Sequence, residues 1–198
     1  MVRWEESTYR KFDMLSWTSD RAKSSLLEQE DTRGMSVIDA ASTIYNPVIT
    51  STGKLLVDKI AEAAAVIEDN VRTPAVRILM SSKRAADLAV LQATTGSSVS
   101  NIFAPATQDE LIKKGVKGNL LGLEVITIPK RQDGSSIIDN ASVYVLGPAE
   151  LVGVMAIRAD LEVRTQPALL QNADLISYIE YIGYLCRYSK AVQKVQII

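Results

Sequence analysis

Histidine is absent from all 198 residues. That absence removes Ser-His-Asp and Cys-His nucleophilic arrangements, the most common general base, and most zinc sites. Cysteine occurs once, at Cys186, so no internal disulfide can form. Set in an apolar stretch, it reads as a small buried hydrophobe. No apolar run approaches the ~18 residues of a membrane-spanning helix. The opening residues MVRWEESTYRKF lack the apolar centre of a secretory signal. A long basic run is also missing: 22 Lys and Arg stand against 23 Asp and Glu, for a net charge of −1. Sequence-specific reading of nucleic acid therefore lacks its electrostatic footprint, and only weak backbone contact is left open.

Phosphate-binding patterns are lacking too. There is no Gly-x-Gly-x-x-Gly, and Ser51-Thr52-Gly53-Lys54 has Val48 where a phosphate loop needs glycine and Leu55 where it needs Ser or Thr. As a Ser-x-x-Lys nucleophile it has no companion motif. The stretch reads as a helix cap instead. Nothing in the sequence assembles a catalytic, cofactor-binding or metal site, and no enzyme activity is expected.

What is present is a chain able to form a core, with 47% hydrophobic residues. Residues 174–195, DLISYIEYIGYLCRYSKAVQKV, hold four of the seven tyrosines. Tyr and β-branched residues suit a pleated surface, and both parities are mostly apolar. The pattern predicts one long strand lying between two layers or in a subunit contact, and an extended subunit with it.

Residues 2–13 alternate without forming an apolar face and read as an extended arm or ribbon. Residues 16–44 read as a long helix. Thr18 or Ser19 would cap it, Leu26/Leu27 and Val37/Ile38 would share a face, Gly34 would be a point of bending, and Asn46-Pro47 would end it. The acidic cluster Glu28–Asp31 reads on its own as a solvated helix face. Residues 54–69 make a cleaner amphipathic helix through Leu56, Ile60, Ala63/Ala64 and Ile67, capped from Thr50, Ser51 or Thr52.

A strand over 76–80, a short helix from Ser81 or Ser82, a capping box at Thr107–Glu110, and strands over 119–129 and 142–146 follow. Gln132-Asp133-Gly134 makes a turn. Residues 157–164 alternate strictly. The expectation is that Ile157, Ala159, Leu161 and Val163 face a core while Arg158, Asp160, Glu162 and Arg164 face water or a neighbour.

This order of elements resembles the C-terminal two-thirds of a tailed-phage major capsid protein, a fold also used by encapsulin shells. Four pieces carry the resemblance. The long helix with Glu30-Asp31 after an extended ribbon is similar to the family's spine helix after its E-loop. The helix over 54–69 leads into AVRILM (75–80) and then Ser81-Ser82-Lys83-Arg84. LLGLEVITIP (120–129) resembles a family strand, with Leu123-Glu124 at its middle. VYVLG (143–147), then 157–164, then the long strand, resemble the closing sheet.

The resemblance implies an α+β phage major-capsid fold, with a long spine helix, a long C-terminal strand and an α/β axial subdomain. The N-terminal arm and part of the E-loop are missing on this reading. Residues 1–14 would be the returning half of the E-loop. Residues 15–45 with 176–198 would make a peripheral subdomain, and 46–175 an axial one.

The implied function is that of a major head protein of a tailed phage or prophage. It would self-assemble through pentamers and hexamers into an icosahedral shell around double-stranded DNA. An encapsulin-type compartment is the first alternative; a small-molecule-binding or hydrolytic α+β domain is the second. Trp4, Tyr9, Arg10, Phe12, Glu28, Glu30, Asp31 and Arg33 are the expected inter-subunit contacts. Scaffold, maturation protease and portal are implied as further partners, with packaged DNA touched weakly and no membrane. The chain would be assembled in the host cytoplasm and reside in the virion capsid.

Overall fold

A computed structural model describes residues 2–3, 14–86, 119–168 and 173–198. The elements are β1 (Val2–Arg3), α1 (Met14–Ser42), β2 (Ile49–Ser51), α2 (Val57–Val71), β3 (Arg77–Ser81), β4 (Asn119–Leu120), β5 (Leu123–Ile128), β6 (Ser142–Leu146), α3 (Ala149–Val152), β7 (Gly153–Ala168), β8 (Ala173–Cys186) and β9 (Val192–Ile197). Residues 82–86 are also helical. The Thr107–Glu110 capping box lies outside the described residues.

Contacts divide the chain into two units, Met1–Arg33 with Met155–Tyr184, and Gly34–Val154 with Leu185–Ile198. Three elements, α1, β7 and β8, carry the chain from one to the other. Of the expected peripheral segment 176–198, residues 176–184 fall in the unit with Met1–Arg33 and Leu185–Ile198 in the unit with Gly34–Val154.

The larger unit is built on a six-stranded mixed sheet in the order β2-β9-β6-β3-β5-β4. β2 is parallel to β9 and β3 to β5, while the other neighbours are antiparallel. β6 is buried along its whole length because both faces of the sheet are covered. Val143 and Val145 point to one core, with Ile78, Met80, Val195 and the α2 face. Tyr144 and Leu146 point to the other, with Leu79, Val192 and Met35 of α1.

Helix α2 follows its periodicity: Ile60, Ala63 and Ile67 are buried at helical spacing. Its start differs from expectation. Leu56 is the N-cap residue and makes no side-chain cap bond; Leu55, not Leu56, enters the core. The STGK stretch is instead a turn tied to the C-terminus. The Gly53 N–H donates to the Ile198 carbonyl at 2.7 Å, the Ile198 N–H donates to the Ser51 carbonyl at 2.9 Å, and the buried Ser51 hydroxyl donates to the Lys54 carbonyl at 2.6 Å. At its other end, the helix stops where Arg72 turns left-handed.

Helix α1 begins at Met14, so Thr18 and Ser19 lie within it, and it passes through Gly34 without interruption. Its shared apolar face is only partly used: Met35 and Ile38 pack into a core, whereas Leu27 is exposed.

Two of the expected single strands are broken. Residues 119–128 form a hairpin, with Leu120 opposite Leu123 and Leu121-Gly122 at its tip, both at positive φ. Two successive left-handed residues make the turn whose twist matches that of antiparallel strands. The long C-terminal strand ends at Cys186 and resumes at Val192 after a 3-10 turn over Ser189–Ala191. The Arg187 and Tyr188 N–H groups turn to the carbonyls of Val152 and Leu151, at 3.1 and 3.0 Å. The two parts then join different sheets, β8 pairing with β7 and β1, and β9 with β6 and β2.

Candidate assembly surfaces

In the smaller unit β8 lies between β7 and the short β1, whose register sets Val2 opposite Asp174. The first 20 residues of α1 belong to this unit, residues 14–33. The Tyr178 hydroxyl of β8 donates to the Ser19 hydroxyl of α1 at 2.6 Å. On the same helix, hydrogen bonding with Glu180, then burial, then the charges of Glu180 and Asp31 push the Glu30 carboxyl up to about 7. Burial first, then Glu30, Glu180 and Asp31, raise the Tyr184 phenol, while Arg33 acts in the opposite sense.

The expected contact residues Glu28, Glu30, Asp31 and Arg33 all lie on α1. Trp4, Tyr9, Arg10 and Phe12 lie outside the described residues.

Strand β7 departs from expectation. Ile157, Leu161 and Val163 were assigned to a core, yet they are 49%, 38% and 49% exposed, and Met155 is open as well. Arg158, Glu162 and Arg164 are exposed too, with Arg164 holding Glu162 through two contacts of 3.0 Å. Alternation separates apolar from charged side chains on a strand, but it does not determine whether the chain itself covers the apolar face. Here an aliphatic row, Met155, Ile157, Leu161 and Val163, remains at the surface. Contiguous exposed apolar area of this kind marks interaction sites.

The larger unit contains a polar clamp that the sequence reading missed. The Tyr144 hydroxyl and the Lys194 ammonium both donate to Asp39 Oδ1, each at 2.7 Å. Burial alone would raise the Asp39 carboxyl, but the bonds from Lys194 and Tyr144 and the Lys194 charge outweigh it and hold it below the usual range. Burial, then the bond to Asp39 and its charge, pushes the Tyr144 phenol above its ordinary range. The clamp fixes the last turns of α1 to β6 and β9. An aspartate in the otherwise apolar run Val37-Ile38-Asp39-Ala40-Ala41 was the available signal.

An open cleft of about 660 Å³ is lined by Tyr45, Asn70, Leu151, Arg187, Tyr188 and Lys190, among others. Beneath it Asn46 donates to the carbonyls of Lys190 and Val192, at 3.2 and 2.8 Å, and accepts from Asn70 at 3.0 Å. Lys190 lies over the Tyr45 ring at 5.8 Å. The cleft brings together no nucleophile–base pair. Among the described residues no cluster of acidic or Cys side chains could hold a metal ion, and no helix is long and apolar enough to cross a membrane. Burial pushes the Cys186 thiol up, away from the reactive thiolate.

No protein-family model matches the sequence, and no curated protein is detectably similar to it. Solved structures do match. The chain superposes on Microbacterium phage Oxtober96 with a TM-score of 0.71 at 12% identity, covering 100% of this chain and 70% of that one. The capsid of cyanophage P-SCSP1u gives 0.68 at 12% identity, with 100% and 70% covered. A virus-like particle from Pyrococcus furiosus gives 0.54 at 14% identity, with 86% and 64% covered. The chain has the mixed α+β fold of phage capsid proteins, and it spans about two-thirds of the length of the chains it matches.

Proposed function

We propose that this chain is a structural subunit of the icosahedral head of a tailed phage or prophage. It packs with copies of itself into pentamers and hexamers around double-stranded DNA and catalyses no reaction. The observation that carries this reading is the extent of the fold likeness: all of the chain aligns with a phage capsid chain, at a TM-score of 0.68. An encapsulin-like compartment is less favoured, because the matches that cover the whole chain, at TM-scores of 0.71 and 0.68, are to phages.

On this reading the larger unit is the axial subdomain, and the unit holding residues 14–33 and β8 is the peripheral one. The aliphatic row of β7, the acidic stretch of α1 with Arg33, and the aromatic arm of Trp4, Tyr9, Arg10 and Phe12 meet neighbouring copies. Such a subunit meets scaffold, maturation protease and portal during assembly in the host cytoplasm, and ends in the virion capsid. With a net charge of −1 its contact with packaged DNA is weak and non-specific.

The test is to isolate particles containing this chain from cells that carry its gene in its natural setting, treat them with nuclease, and extract what remains. Protected double-stranded DNA is the expected content. Particles filled with protein would favour the compartment reading, and a chain found in no particle would overturn both.

A further inference from the structure

Arg187 and Lys190 stand on one short segment lining the cleft of the larger unit, and that segment is held along its length. The Arg187 and Tyr188 N–H groups donate to the carbonyls of Val152 and Leu151 at 3.1 and 3.0 Å, and Asn46 donates to the Lys190 carbonyl at 3.2 Å. The main chain is thus fixed, while both cationic side chains are exposed. Among the described residues neither cation has a carboxylate partner. The Arg187 guanidinium reaches the Glu150 carbonyl at 3.5 Å, and the Lys190 ammonium lies over the face of Tyr45 at 5.8 Å. No acidic side chain among the described residues lines the cleft, and Val71 and Leu151 give it aliphatic walls. Tyr45 and Tyr188 beside them are 65% and 54% exposed. Tyrosine and arginine in this setting are the residues that anchor protein interfaces.

The complementary chemistry is on α1. Glu28, Glu30 and Asp31 are the one place in the sequence where three acidic residues fall within four positions. Leu27, just before them, is 60% exposed, and Asp31 is exposed as well. At i and i+4 on a helix these two side chains lie on one face, roughly 5–6 Å apart. They offer an aliphatic group and a carboxylate; the cleft offers aliphatic walls and two cations that lack an anion.

We propose that the cleft receives the Leu27–Asp31 turn of α1 from a second copy of this chain. Leu27 packs against the Val71 and Leu151 walls, and Asp31 answers the charge of Arg187 and Lys190. The proposal rests on the shell reading and names one contact within it. Helix and cleft are different surfaces, so the contact is heterologous: each copy gives its helix to one neighbour and its cleft to another. Repeated by rotation, a contact of this kind closes a ring, as pentamers and hexamers require.

Particles assembled from an equal mixture of Lys23→Cys and Ser189→Cys full-length chains test it. Lys23 lies one turn before Leu27 on the same face, and Ser189 lines the cleft, so Leu27, Asp31, Arg187 and Lys190 all stay in place. Each chain carries one introduced thiol, and a bismaleimide link between positions 23 and 189 therefore joins two copies. Peptide mass spectrometry should find that link in particles and not in dissociated subunits, with wild-type particles as the control for Cys186. Asp31→Lys and Lys190→Glu change exposed side chains, so each variant should fold yet lower the yield of sedimenting particles several-fold. The double variant, with the charges exchanged, should recover most of that yield. Particles without the 23–189 link, or charge changes that leave the yield untouched or show no recovery when combined, would overturn the contact and leave the shell reading standing. Ultraviolet cross-linking of Tyr45 or Tyr188 to nucleic acid inside the particle would assign the cleft to another occupant and overturn the contact too. A wild-type chain that forms no particles would sink the contact and the shell reading together.

Discussion

Replacing Asp39 with Ala removes the shared acceptor of the polar clamp. Tyr144 is 4% exposed, so its hydroxyl would be left with little access to water, and Lys194 would lose its nearest anion. A buried donor left unsatisfied costs about 1–3 kcal/mol. The ion pair itself adds little, because the Asp39 side chain is 49% exposed and solvent screens it. The expected loss is therefore about 1–3 kcal/mol and comes mainly from Tyr144.

Tyr144→Phe removes the donor and the need for its partner together, and should cost only about 0.5–1.5 kcal/mol. Because the two changes share one bond, the double variant should cost less than the sum of the singles by about 0.5–1.5 kcal/mol. Asp39 lies below its ordinary 3.8, so its contribution is present above that value and lost as pH falls through the folded one. Urea unfolding followed by tyrosine fluorescence at pH 7 and pH 3 measures all of this, with the transition slope checked for constancy. Strict additivity of the two variants, or Asp39→Ala unfolding within about 0.5 kcal/mol of wild type at pH 7, would refute the reasoning.

Two further contrasts follow from burial and backbone geometry. Ile60→Ala empties a fully buried site on α2 and should cost about 2–5 kcal/mol, whereas Leu161→Ala on the open row of β7 should cost no more than about 0.5 kcal/mol in the dissociated subunit; equal losses in urea unfolding would contradict the exposed placement of that row. Gly122 sits at φ +81° with open space around its Cα, so Gly122→Ala should destabilise through backbone strain alone, by about 1 kcal/mol. Gly122→Asn, which tolerates that conformation better, should recover part of the loss in the same assay.

Where one face of an element is buried by the chain's own fold, the sequence was legible. Ile60, Ala63 and Ile67 mark α2, and the solid apolar run Val143–Leu146 marks a strand covered on both sides. Legibility failed where a local backbone choice outweighed composition. Leu121 and Gly122 read as mid-strand residues, yet two left-handed conformations fold them into a hairpin. Residues 187–191, Arg-Tyr-Ser-Lys-Ala, contain neither Gly nor Pro to announce a break; the break is made by main-chain bonds to Leu151 and Val152, which no local pattern reveals. Strand β7 failed differently. Its alternation was read correctly as two chemically distinct faces, but alternation does not say whether the chain's own fold covers the apolar one, and here that row is exposed.

If copies of this chain complete its fold in a shell, the aliphatic row of β7 is part of the contact. Cryo-electron microscopy of particles containing the chain tests it most directly. The expected result is a closed icosahedral shell in which Met155, Ile157, Leu161 and Val163 are covered by density from a neighbouring copy. A closed shell in which that row faces bare solvent in every subunit would contradict the assignment of the contact. A chain that remains a dispersed monomer in the producing cell would contradict the account as a whole.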